Sequence, residues 1–66
     1  MDIQYPDIHV KLVGHDGNAF AIMGKVSEAL RKNGVPKEEI DAYLKESMSD
    51  DYDHLLRTAV RWVDVS

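Results

Sequence analysis

Between Leu12 and Ala19 the hydrophobic period of this chain changes, and two glycines, Gly14 and Gly17, stand at the change. Upstream, Ile8, Val10 and Leu12 alternate with His9, Lys11 and Val13, the two-residue period of a half-buried strand. Downstream, Ala19, Ile22, Met23, Val26, Ala29 and Leu30 recur at steps of three and four, with Lys25, Ser27, Glu28, Arg31 and Lys32 opposite, the period of an amphipathic helix. A strand over 8–13 must therefore turn into a helix through Val13-Gly14-His15-Asp16-Gly17-Asn18-Ala19-Phe20. Glycine tolerates the positive φ that such a corner often needs, and Asp16 or Asn18 can offer a side-chain oxygen to the first free N–H groups of the helix. Phe20 widens the apolar stripe, and Gly24, costly inside a helix, predicts a closely packed neighbour there.

The helix is expected to stop near Asn33. Arg31 and Lys32 suit its negative end, Gly34 suits the left-handed position after the last turn, and Val35 can close that turn with an apolar contact. Pro36 is tolerated in a first helical turn, and Glu38 and Glu39 suit the positive end of a second helix, whose inward face reads Ile40, Tyr43, Leu44 and Met48. Ser49-Asp50-Asp51 stops that helix and caps a third beginning near Asp51. Tyr52, Leu55, Leu56, Ala59, Val60 and Val63 extend a third stripe, while Trp62, Val63 and Val65 prefer extended backbone. The expected ending is a helix to about Arg61 and then a short strand that partners the first. The fold class is thus α+β, a β-α-α-α-β domain with a short two-stranded sheet packed on helices.

Sixty-six residues make a single domain, 1–66, in which residues 1–6 form a flexible N-terminal tail or a short separate edge segment, since Pro6 cannot donate a ladder hydrogen bond. A chain of this length hides only about 60% of the surface that its unfolded form exposes, so partner burial would help it. With no cysteine it has neither disulfide nor thiolate metal cluster, which together with the lack of a signal-like start or a long apolar run makes the cytoplasm the expected compartment. No membrane role is expected. A two-stranded sheet is marginal alone, and its open edge makes a homodimer an expected assembly.

The net charge of −4 is unevenly spread. Glu38, Glu39, Asp41, Glu46, Asp50, Asp51 and Asp53 face one cation, Lys45, within residues 38–53, whereas the arginines and the other lysines lie elsewhere. Such a composition argues against nucleic acid as a partner, because displacing counterions from phosphates needs a net basic surface.

Gly14-x-Asp16-Gly17-Asn18-Ala19-Phe20-Ala21-Ile22, then Ala29-Leu30, Gly34-Val35, Asp51-Tyr52-Asp53-His54-Leu55-Leu56-Arg57-Thr58 and Arg61-Trp62-Val63-Asp64-Val65 together resemble short uncharacterised proteins of phages, plasmids and bacterial genomes. The resemblance covers nearly the whole chain. It implies an accessory role, such as binding and modulating a host protein, and it brings no activity and no site residue.

Three constellations carry candidate chemistry. Gly14, His15, Asp16, Gly17 and Asn18 could cradle a small ligand at a helix start, although the spacing matches no phosphate-binding motif and Asp16 would repel an anion. His15, Asp16, Asp51, Asp53 and His54 could hold a metal ion if the first turn and the start of the third helix meet, against the simpler reading of these acids as caps. Glu38, Glu39, Asp41 and Glu46 should face outward and form an acidic interaction surface, or serve only solubility. His9, His15 and His54 as bases and Ser27, Ser47, Ser49 and Thr58 as hydroxyls lie in no nucleophile motif, so no enzymatic activity and no cofactor are expected. The expected function is a small non-catalytic protein–protein interaction or regulatory protein, the alternative a small-ligand or metal-ion binding protein using the Gly14–Asn18 turn.

Overall fold

The computed structural model describes residues 3–12 and 18–66 and has the expected order β-α-α-α-β: β1 (Tyr5–Val10), α1 (Ala19–Lys32), α2 (Lys37–Ser47), α3 (Tyr52–Trp62) and β2 (Val63–Val65). The expected Gly14–Gly17 corner and Val13 lie outside the described residues.

β1 and β2 pair in parallel, and the three intervening helices make the crossover that parallel strands need. β1 begins three residues before the expected Ile8, so Tyr5 belongs to the sheet and not to a tail. Pro6 is accommodated because the register is irregular between Tyr5 and His9, where a residue without an N–H leaves no ladder bond unmade. Beyond the strands the ladder continues: the Gln4 N–H donates to the Arg61 carbonyl at 2.9 Å, and the Leu12 N–H to the Ser66 carbonyl at 2.9 Å. Ile8, Val10 and Val63 turn inward and are buried. On the outer face His9 and Asp64 meet across the strands, Nδ1 to Oδ2 at 2.6 Å.

α1 starts on Asn18, whose side chain accepts the Phe20 N–H at 2.8 Å. It buries Ile22, Met23, Val26 and Leu30. It ends as the composition of residues 31–35 predicts: Gly34 has φ 80°, and the Val35 N–H returns to the Leu30 carbonyl at 3.0 Å. Pro36 sits one position earlier than expected, at the N-cap of α2. Asp51 caps α3 by accepting the His54 N–H at 3.0 Å. Tyr43 is fully buried beneath Trp62, their rings edge to face at 5.5 Å, and Tyr5 stacks on the same indole at 6.0 Å.

Four expectations about the core are corrected. Met48 is 60% exposed, and the buried place at that end of α2 goes to Ser47. Tyr52 and Val60 are 42% and 54% exposed, and Thr58 is buried in their stead, its hydroxyl donating to the His54 carbonyl at 2.7 Å. Met48 and Val60 share one cause: a step of four residues turns about 40° past a full circle, so the rows Ile40, Leu44, Met48 and Leu56, Val60 wind away from the core as they climb. That winding does not account for Tyr52, which stands in the first turn of α3. Phe20, in the first turn of α1, is 76% exposed and does not widen the core stripe. A side chain at Gly24 would meet nothing within 4 Å, so the expected packed neighbour is absent, and this position opens onto a groove bounded by Ser27, Ile40 and Leu44.

Candidate functional site

On the outer side of α3 lies an almost wholly apolar, shallow hollow of about 280 Å³ formed by Leu56, Arg57, Val60 and Arg61. Leu56 is half-buried, its inner side packed against the cluster of Ile22, Met23 and Leu55, so the hollow has a rigid apolar floor. Val60 continues that floor into solvent. Arg57 and Arg61, both exposed, stand one turn apart along one flank. Guanidinium groups thus stand beside aliphatic side chains on a helix held by its opposite face.

The candidate residues expected from the sequence are distributed differently. His15, Asp16, Gly14 and Gly17 lie outside the described residues, and Asn18 is engaged as the α1 cap. Of the expected metal set, Asp51 is committed to capping α3 and Asp53 is exposed in its first turn. Among the described residues no three histidine or acidic side chains gather as a metal-holding group.

His54 instead turns back to the end of α2. Its Nε2 lies 2.7 Å from Glu46 Oε2, 3.1 Å from the Glu46 carbonyl and 3.2 Å from Ser49 Oγ. A carboxylate and a carbonyl only accept, so Nε2 carries a proton and donates. A serine nucleophile needs that nitrogen free as the acceptor, with the carboxylate on the other ring nitrogen. Here both crowd one nitrogen, and the Ser49 hydroxyl already donates to the Glu46 carbonyl at 2.7 Å. The cluster is a helix cap: it satisfies the last turn of α2 and clamps it to α3. Ser27 likewise bonds the Gly24 carbonyl, at 3.1 Å.

The acidic set divides in two. Glu39 Oε1 accepts from Gln4 and Tyr5, each at 3.3 Å, and Glu46 accepts from His54. The His54 hydrogen bond, with a smaller one from Ser49, holds the Glu46 carboxyl below its ordinary pKa. Glu38 and Asp41 are exposed and face solvent on α2. Two of the four acids thus fasten α2 to its neighbours.

The arginine-flanked hollow was not singled out in the sequence, because Leu56 and Val60 both fit a core stripe. The available signal was local: Val60 stands between a core alanine and an arginine, and Arg57 and Arg61 repeat at helical spacing beside it. No family model matches the chain, and no curated protein or solved structure does either. No described helix is long and apolar enough to cross a membrane.

Proposed function

We propose that this chain is a small non-catalytic interaction protein that uses the outer face of α3 to dock a partner protein. The observation that supports this reading is the Leu56–Val60 strip flanked by Arg57 and Arg61: in a chain of net charge −4, an almost wholly apolar surface hollow is edged by cations. A fitting partner presents apolar side chains ringed by carboxylates. Burying Val60 would supply apolar area, and the arginines would select for charge and orient the encounter. The accessory role implied by the resemblance to phage and plasmid proteins agrees with a chain whose specific features are surfaces and caps. The acidic α2 surface is the weaker docking candidate, because Glu39 and Glu46 are already bonded within the chain.

Site-specific photocrosslinking in the source cell tests the reading. A crosslinker replacing Val60 should capture one discrete protein, and Arg57→Glu with Arg61→Glu should remove that product while the helical circular dichroism stays unchanged. Capture from position 41 and not from position 60 would transfer the function to the acidic surface.

A further inference from the structure

The open edge of β1 is self-complementary, and we propose that two copies of this chain pair there, β1 against β1 in antiparallel about a two-fold axis at His9. This inference is independent of the α3 surface. It rests first on main-chain parity. The Val10 carbonyl accepts from the Ser66 N–H at 3.0 Å and the Leu12 N–H donates to Ser66, so the main-chain groups of Val10 and Leu12 face β2. In an extended strand the groups of His9 and Lys11 then face the opposite way. The Lys25 ammonium reaches the Lys11 carbonyl at 3.0 Å from that side, which locates this free edge above α1. A groove of about 370 Å³ runs there between β1 and the Lys25, Glu28 and Lys32 side of α1.

The second observation is side-chain charge. Asp7, His9 and Lys11 are exposed on one face of the strand, while Ile8 and Val10 point inward. In an antiparallel pair centred on His9, Asp7 of each copy stands opposite Lys11 of the other, twice by symmetry. The main-chain groups of His9 and Lys11 point outward as well, so hydrogen bonds and ion pairs call for one register. A register centred on Val10 would set His9 against Lys11. One centred on Ile8 would set Asp7 against His9, whose ring is already bonded to Asp64 at 2.6 Å. Only the His9 centre joins a free carboxylate to an ammonium. The product is a four-stranded sheet, β2-β1-β1-β2, in which the marginal two-stranded sheet gains the pairing that its edge lacks. On docking, the Lys11 carbonyl exchanges the Lys25 ammonium for a partner amide.

Sedimentation equilibrium on the full chain, on Asp7→Lys, on Lys11→Asp and on the double variant tests this. The unmodified chain should dimerise at high micromolar concentration. Each single variant should weaken the dimer by roughly tenfold, because a reversed cross-strand pair occurs twice, and the double variant should recover to within about threefold by restoring the pair with its signs exchanged. All four should keep the same circular dichroism, since both side chains are exposed. Val60→Asp should leave the dimer unchanged. A monomeric unmodified chain, single variants as tight as the parent, a double variant no tighter than the singles, or dissociation by Val60→Asp would each overturn the β1 pairing.

Discussion

His54 Nε2 sits 2.7 Å from the Glu46 carboxylate, joining the last turn of α2 to the first turn of α3 across the bend between them. His54 and Ser49 bonds lower the Glu46 pKa in the folded chain, so between the folded and unfolded values the native state binds fewer protons than the unfolded one. The resulting stability is present above the ordinary value of 4.5 and is lost as pH falls through the lower folded value. Thermal unfolding followed against pH should therefore show an acid limb below 4.5 that is shallower in Glu46→Gln.

The two helical-turn glycines should respond in opposite senses to alanine. Gly34 has φ 80°, so Gly34→Ala forces a side chain into the left-handed region and should cost about 1 kcal/mol. Gly24 lies inside α1 with nothing within 4 Å of an added Cβ, so Gly24→Ala should stabilise by about 0.5–1 kcal/mol. Urea unfolding of the two variants checks both signs. A loss at Gly24 would mean that something packs into the groove.

Tyr43 gives a less intuitive expectation. Its hydroxyl and that of Ser47, one turn apart on α2, are both buried, and neither reaches hydrogen-bond geometry with a partner among the described residues. Burial raises the Tyr43 pKa, and Ser47 is near enough to oppose that slightly without forming a well-placed bond. Removing a buried hydroxyl that has no partner removes a desolvation cost, so Tyr43→Phe should be neutral or stabilising by up to about 1 kcal/mol. Tyr43→Ala should instead cost about 3–5 kcal/mol, since the ring packs on Trp62. Chemical denaturation of the pair separates the hydroxyl from the ring.

The local devices were legible from residue chemistry because they act over a few positions. The cap at Asp51, the left-handed Gly34 and the inward Ile8 and Val10 depend on neighbours that sequence reading sees. Met48 and Val60 were misread because a count of threes and fours does not register the slow rotation of an i, i+4 row about the helix. For Met48→Lys this implies a change within about 0.5 kcal/mol, as expected of a surface site. The His54–Glu46 clamp and the His9–Asp64 pair join residues 8 and 55 positions apart, and these follow from topology alone. Arg57 and Arg61 were visible as charges but carried no site until the burial of α3 showed what lay between them.

Reversing the acidic α2 surface separates fastening from display. Glu46→Lys would place an ammonium where the His54 ring donates, and Glu39→Lys would remove the acceptor shared by Gln4 and Tyr5. Both changes should lower the melting temperature. Leaving a donor facing a cation costs more than losing an exposed ion pair, and the Glu46 change also loosens the α2 cap. Glu38→Lys and Asp41→Lys touch no described partner and should leave stability within about 0.5 kcal/mol, apart from a small penalty at Glu38 for losing a favourable charge at the start of α2. The test of whether this surface displays charge to another protein is therefore Glu38→Lys with Asp41→Lys. If binding runs through α3, that double reversal should leave the affinity for the partner captured at Val60 unchanged, while Arg57→Glu should weaken it at least tenfold. An affinity that responds to the α2 reversals and ignores Arg57→Glu would place the interface on α2.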